Sequence, residues 1–135
     1  MLGVNPYVAF AGNCREAIEF YQRALGAELL FVQTMGESPM PNMGPATNIM
    51  HCTIQVGGST IMMCDDPNQS AAVGEGRISL AIGLSDPART NQIFGNLADS
   101  GSVIMPLQKT YWAEAFGMVT DKFGVKWMIN CEAPQ

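Results

Sequence analysis

The stretch GSTIMMC at residues 58–64 and the stretch GVKWMIN at residues 124–130 can be aligned over their whole length, with Met62 on Met128. Both lie at the end of the same order of predicted elements, which is a strand, a helix and three further strands. Because this order occurs twice along the chain, the sequence predicts an internal duplication. We expect an α+β fold made of two βαβββ modules in tandem.

The first module begins with the apolar run PYVAFA at residues 6–11, which predicts a strand. A helix over residues 14–25 follows, because its apolar positions recur at helical spacing and Asn13 with Glu16 forms a capping-box pattern. Gly26 is expected to end this helix in the left-handed conformation. The three further strands of the module are predicted at residues 28–34, 49–56 and 60–64.

The second module opens on residues 78–84, where apolar residues alternate with small or polar ones. Asp86 as N-cap and Pro87 at the first helical position predict a second helix, which ends near Gly101. The remaining strands are predicted at residues 102–108, 116–120 and 125–131. We place module one at about residues 1–66 and module two at about residues 77–135, within a single domain of residues 1–135. The modules are expected to form a curved mixed sheet around a cavity, with the helices on the outer face.

Composition excludes several classes of function. The chain has 135 residues, with 7 Lys and Arg against 12 Asp and Glu, and a formal net charge of −5. An acidic chain without a basic run is poorly suited to bind nucleic acid or an anionic membrane surface. No apolar stretch approaches the roughly 18–20 residues of a membrane span, and the N-terminus lacks the pattern of a signal peptide. We expect a cytoplasmic protein whose four cysteines are reduced, buried thiols.

Two motifs connect this layout with a known family. The first helix carries AIEFY at residues 17–21 followed by Leu25 and Gly26, and TDKFG at residues 120–124 precedes the last strand. In this order and spacing the chain resembles the vicinal oxygen chelate superfamily, which contains glyoxalase I, extradiol dioxygenases and resistance proteins for bleomycin and fosfomycin. It looks most like the PhnB-like branch, whose members have been labelled demethylubiquinone methyltransferases. The sequence has no Gly-rich loop between a strand and a helix that would support this methyltransferase activity.

The resemblance also implies positions for metal ligands. Metal enzymes of the superfamily hold a divalent ion with up to four side chains, which correspond by spacing to Pro6, Met62, Arg77 and Met128. The proline nitrogen cannot ligate, an arginine repels a cation, and thioethers suit Cu(I) better than Mg²⁺ or Zn²⁺. A shift of one residue would bring in only Asp65 or Asn130. We therefore predict neither a bound metal nor another cofactor.

Two residues are candidates for acid–base chemistry. His51 is the only histidine of the chain, and histidine is the side chain that changes charge near neutral pH. Strand alternation places it on the opposite face from Cys52 and Ile54, which is expected to be the cavity face. His51 is either a general base or ligand anchor, or a hydrogen-bonded structural residue. Glu114 is either its acid–base partner or a solvated loop acid.

Five further residues are candidates for ligand binding. Met62 and Met128 would make the region where relatives hold a metal apolar, because methionine fills irregular apolar pockets. Trp112, next to Tyr111, offers a flat surface for stacking, although core packing or a dimer contact would use it equally well. Arg77 pairs either with an anionic group of a substrate or with a nearby surface acid.

These observations favour a small-molecule-binding protein whose ligand is held between the modules or at a dimer interface. The alternative is a glyoxalase- or dioxygenase-like enzyme that uses His51 and Glu114 or a non-standard metal site. The resemblance implies a homodimer. The sequence leaves open whether the modules pair within one chain or between two chains.

Overall fold

The computed structural model describes residues 3–39, 44–66 and 78–132. The chain divides into two compact units, of which the first contains the described residues up to 66 and the second those from 78 onward. The first unit, module one, has one α-helix and four strands in the predicted order. Its elements are β1 Tyr7–Phe10, α1 Cys14–Leu25, β2 Glu28–Thr34, a short 3₁₀ helix Met35–Glu37, β3 Ile49–Val56 and β4 Ser59–Asp65.

The sheet of module one has the strand order β1-β4-β3-β2, in which β1 is parallel to β4 and the other pairs are antiparallel. Along β3, Cys52 and Ile54 are completely buried, whereas His51 and Thr53 are half-buried. The Sγ atom of Cys14 in α1 lies 4.0 Å from that of Cys52, so the buried face is the one that packs on α1. We call the opposite face the helix-free face of module one.

The N-terminus of α1 is anchored by a carboxylate distant in sequence. Asp65, buried at the end of β4, accepts a hydrogen bond from the backbone N–H of Cys14 at 2.9 Å and another from that of Ile49 at 2.8 Å. A negative charge is favourable there because the unpaired N–H groups of a helix start point toward it. The predicted capping box of Asn13 and Glu16 is wrong, because Asn13 makes no side-chain cap hydrogen bond.

Module two repeats this architecture. Its elements are β5 Leu80–Leu84, α2 Pro87–Ala98, β6 Ser102–Gln108, β7 Ala113–Thr120 and β8 Lys126–Glu132. The strand order is β5-β8-β7-β6, again with a parallel first pair. The start of α2 is as predicted, because the side chain of Asp86 accepts hydrogen bonds from the N–H groups of Ala88 and Arg89, and Pro87 occupies the first turn.

Three strands of module two begin at other residues than predicted. β5 begins at Leu80 rather than Ile78, β7 at Ala113 rather than Phe116, and β8 at Lys126 rather than Val125. The pairing of β7 with β8 contains a bulge between Ala113 and Ala115. A bulge inserts one extra residue and breaks the alternation by which a strand is recognised in a sequence, which explains the missed start of β7.

The pairing registers show the duplication more directly than the sequence does. Met62 on β4 and Met128 on β8 each lie between the first strand and the third strand of their sheet. Tyr7 and Thr53 flank Met62, and Ala81 and Met118 flank Met128. The alignment of the two methionines, which was based on seven-residue stretches, therefore corresponds to a true structural equivalence. The predicted α+β fold of two βαβββ modules in tandem is confirmed.

Both α-helices of the described residues are 12 residues long. As predicted, α1 ends at Gly26, whose φ of 67° is in the left-handed region. Among residues 3–39, 44–66 and 78–132, no helix is long and apolar enough to cross a bilayer.

The turn before β8 is held by Asp121. One oxygen of its buried carboxylate accepts hydrogen bonds from the N–H groups of Phe123 and Val125 at 2.9 and 3.1 Å. The other oxygen accepts one from the indole N–H of Trp127 at 2.9 Å. Gly124 has a φ of 87°, a conformation that glycine adopts without a steric penalty. Asp121 and Gly124 therefore have structural roles in this turn.

Replacing Asp65 by asparagine is expected to lower the free energy of unfolding by about 2–4 kcal/mol. The NH₂ group of the asparagine side chain is a donor, so it cannot accept a hydrogen bond from one of the two backbone N–H groups that Asp65 satisfies. Urea denaturation followed by circular dichroism measures this loss. Asp99→Asn, an exposed change just after α2, is the matched control and is expected to change stability by less than about 0.5 kcal/mol. An Asp65→Asn variant as stable as the wild type would contradict the anchoring role.

Candidate functional site

The helix-free face of module one is centred on His51. The Nδ1 atom of its imidazole lies 3.0 Å from the hydroxyl of Tyr7, and its Nε2 atom lies 3.4 Å from Oγ1 of Thr53. The rings of Tyr7 and Phe31 lie beside it, with centroids 5.6 Å and 6.0 Å from that of the imidazole. His51 is half-buried, whereas both flanking rings are exposed over about half of their surface. The imidazole therefore sits between two aromatic rings that solvent can still reach.

All four strands of module one contribute to this arrangement. Met62 on β4 lies between Tyr7 on β1 and Thr53 on β3. Thr53 in turn pairs with Phe31 on β2. Residues paired across strands project from the same face of a sheet, so these side chains all point away from α1. His51 precedes Thr53 by two positions in β3 and points the same way.

The protonation state of Tyr7 bears on its hydrogen bond with His51. Partial burial, and to a smaller extent the neighbouring Cys64, raises the pKa of Tyr7 to about 12, so the phenol keeps its proton at neutral pH. A protonated phenol can donate to Nδ1 of His51. In the neutral imidazole the proton then lies on Nε2 and is directed toward Oγ1 of Thr53. The result is a chain of three side chains with one oriented N–H group.

Thiols lie on both sides of the sheet near this site. Burial raises the pKa of the Cys64 thiol, so this half-buried group is neutral and poorly nucleophilic at neutral pH. On the α1 side, the hydrogen bond with Cys52 and burial raise the pKa of Cys14. All four cysteines are free thiols, and burial is complete for Cys14, Cys52 and Cys131. Cys64 departs from the expectation of burial and adds a polarisable group beside Tyr7.

The aromatic candidates lie in module two, in the segment that leads into β7. Tyr111 is 97% exposed and Trp112 is 51% exposed, and their ring centroids are 4.8 Å apart in an edge-to-face arrangement. The Trp112 ring also packs edge-to-face on the buried ring of Phe116, with centroids 5.4 Å apart. One side of Trp112 is thus anchored, and the other is available for stacking.

The remaining candidates are not brought together in one module. Glu114 lies half-buried in the bulged start of β7 in module two, whereas His51 belongs to module one. Met128 is half-buried on β8. Arg77 lies outside the described residues.

Sequence reasoning missed two polar groups. Tyr7 was counted only as part of an apolar run, and its contact with His51 joins residues 44 positions apart. The Oδ1 atom of Asn130 on β8 is fully buried and has no hydrogen-bond partner among the described residues. Strand alternation would have placed Tyr7 and Asn130 on their correct faces, but no local pattern shows which side chain meets a partner.

The comparison with protein families identifies the fold. The model of the Glyoxalase/Bleomycin resistance protein/Dioxygenase superfamily matches residues 3–129. The chain belongs to this superfamily. The resemblance inferred from the motifs around α1 and before β8 is confirmed.

Individual relatives support the same conclusion. Protein YjdN of Escherichia coli (strain K12) is 41% identical over 138 residues, which cover 94% of this chain and 93% of YjdN. The crystal structure of protein PA1353 from Pseudomonas aeruginosa superposes with a TM-score of 0.87 at 41% identity, covering 98% of both chains. The PhnB protein from Bacillus cereus shares the fold, with a TM-score of 0.82 at 22% identity over 96% of this chain and 99% of that one.

The positions at which members of the superfamily hold a metal do not fit a hard divalent ion in this chain. The register places Tyr7, rather than Pro6, beside Met62, and it places Ala81 beside Met128. A protonated phenol and two thioethers lack the carboxylate and imidazole donors that such an ion prefers, and Arg77, the fourth of these positions, lies outside the described residues. In the part of the chain that the structure describes, no three His, Cys, Asp or Glu side chains are grouped closely enough to hold a metal ion.

We expect the neutral His51 ring to carry its proton on Nε2, because Tyr7 donates to Nδ1. The chain has a single histidine, so ¹H–¹⁵N NMR spectra of the ring contain one set of signals. Tyr7→Phe should shift both ring nitrogens toward a mixture of tautomers, whereas Tyr111→Phe, at an exposed tyrosine of module two, should leave them unchanged. A proton located on Nδ1 in the wild-type protein would contradict the direction of the hydrogen bond.

Proposed function

We propose that this protein binds a small organic molecule on the helix-free face of module one and recognises it through His51. The observation that carries the proposal is the 3.0 Å hydrogen bond between the Tyr7 hydroxyl and Nδ1 of His51. This bond fixes the imidazole and leaves Nε2–H as an oriented donor on a partly open surface. Small-molecule sites typically combine apolar walls with a few such oriented polar groups.

The surroundings of His51 favour a flat, largely apolar ligand that carries one hydrogen-bond acceptor. Tyr7 and Phe31 offer aromatic surfaces, and the flexible thioether of Met62 adapts to the shape of a ligand. The Nε2···Oγ1 distance of 3.4 Å to Thr53 is long for a hydrogen bond, so a ligand oxygen can replace this contact. An aromatic carboxylate or ketone meets both requirements.

We propose separately that three residues of module two contact a ligand. Trp112 and Tyr111 offer ring surface, and Met128 offers a thioether, for contacts with the apolar part of a ligand. Arg77, outside the described residues, stays a proposed partner for an anionic group on the basis of the sequence.

A second candidate function is acid–base catalysis at His51. The observation in its favour is the same hydrogen bond, because an imidazole held through Nδ1 presents its Nε2–H to a substrate and can deliver that proton as a general acid. Glu114 stays the proposed partner of His51 in this alternative, which corresponds to a lyase or isomerase reaction. Turnover of a bound compound that is lost in His51→Ala while the compound still binds would favour catalysis over binding alone.

Benzoate is a suitable first probe, since it joins a flat apolar ring to an acceptor oxygen. At about 100 times its dissociation constant it should stabilise the protein by about 2.7 kcal/mol, measured as a shift of the thermal unfolding midpoint. His51→Ala should abolish the shift, whereas Gln55→Ala, on the same face of the same strand, should retain it. The same shift in His51→Ala as in the wild type would rule out recognition through His51.

We also propose that the chain forms a homodimer, as the superfamily often does. Sedimentation equilibrium or light scattering should then give twice the 14.5 kDa mass of one chain. A mass of a single chain at micromolar concentration would contradict this proposal and leave the ligand-binding proposal in place.

A further inference from the structure

Module two contains a buried hydrogen-bond acceptor that nothing in the described chain satisfies. This acceptor is Oδ1 of Asn130, which is fully buried and has no partner among the residues that the structure describes. Its neighbours in β8, Ile129 and Cys131, are buried on the side of α2. Asn130 therefore projects from the opposite face, like Met128 two positions before it. We call this face the helix-free face of module two.

A buried acceptor without a partner is unusual enough to require an explanation. In native proteins the large majority of buried polar side-chain atoms are hydrogen-bonded, because an unpaired group has lost its water and gained nothing in exchange. A valine at this strand position would avoid that cost and would suit a strand better. The retention of Asn130 at a central strand of the sheet is explained if its partner is a ligand.

Room for such a ligand lies one strand away. Gly83 on the edge strand β5 is the register partner of Asn130, and neighbouring strands are separated by about 4.8 Å. A Cβ atom added to Gly83 would meet nothing within 4 Å, so the sheet surface beside the amide is open. Because χ2 of asparagine rotates over a broad range, rotation of the side chain can present Oδ1 to this open surface.

The groups around the amide determine which ligand it accepts. Phe116 on β7 pairs with Asn130 on the side away from Gly83. The ring of Trp112 packs edge-to-face on the ring of Phe116. The adjacent row contains the half-buried Met128 and Met118. Phe116, Met118 and Met128 are apolar and penalise a buried charged group, while the charged residues of β8, Lys126 and Glu132, lie at the two ends of the strand. The orphaned carbonyl oxygen requires a donor.

We propose that the helix-free face of module two binds an apolar molecule through a neutral hydroxyl or N–H group, which donates to Oδ1 of Asn130 while the body of the molecule covers Gly83. This proposal rests on residues of module two alone. It is independent of the proposed recognition of an acceptor by His51, and the two ligand chemistries are opposite.

Phenol and anisole form a matched pair of probes, since they share a ring and differ in the hydroxyl donor. In ¹H–¹⁵N NMR titrations, phenol should shift the signals of the Gly83 and Asn130 amides and should bind about fivefold to tenfold more tightly than anisole, which is the range expected for one hydrogen bond. Equal affinity of the two probes would overturn the proposal. Phenol-induced shifts confined to the surroundings of His51 would also overturn it, and would leave the proposed function intact.

Two variants test the geometry. Gly83→Val fills the open surface and should weaken phenol binding at least fivefold. Gly95→Val should not weaken it, because this exposed glycine of α2 also has open space around it but lies outside the proposed site.

Asn130→Val should abolish the preference for phenol over anisole. It should also raise the thermal unfolding midpoint by a few degrees, because the unpaired acceptor is removed. A lowered midpoint with phenol preference retained would show that the amide has a structural partner and would refute its role in ligand binding.

Discussion

The geometry of module one depends on the two hydrogen bonds that the Asp65 carboxylate accepts from Cys14 and Ile49. They join the last residue of β4 to the start of α1 and to the start of β3, three elements that are distant in sequence. Because the first residue of β3 is held, the register of that strand is held as well, and with it the face on which His51 emerges. A shift of one residue would bury the imidazole under α1 and expose Cys52.

Module two reaches the same topology with different anchors. The residue equivalent to Asp65, given the alignment of Met62 with Met128, is Cys131, which is a buried cysteine rather than a carboxylate. Here the helix is capped locally by Asp86, and a buried carboxylate, that of Asp121, instead holds the turn before β8. The duplication has therefore kept strand order and register, while each copy has its own polar anchors. The two helix-free faces differ in the same way, with an imidazole and a phenol on one and an amide and thioethers on the other.

The features that were predictable from the sequence are those with a local cause. Alternation in β3 placed His51 opposite Cys52, and the turn residues Asp121 and Gly124 have the roles that their types suggest. The features that were not predictable depend on contacts across the fold. Asn13 was a reasonable cap until a carboxylate 52 positions later, Asp65, took over the start of α1. In the same way, nothing local marks Tyr7 as the partner of a histidine on another strand.

The packing of module one separates the residues that hold the fold from those that are free to vary. The sheet is held by its strand ladder and by the core beneath α1, whereas the side chains of Tyr7, His51 and Met62 lie on the opposite face and are only partly buried or exposed. Their chemistry can therefore change without loss of the fold. Tyr7 stands beside Met62 on this face, and its hydroxyl lies 3.0 Å from Nδ1 of His51. The conserved element of the fold is the scaffold that presents the site, and the recognition chemistry is set by the few side chains that project from it.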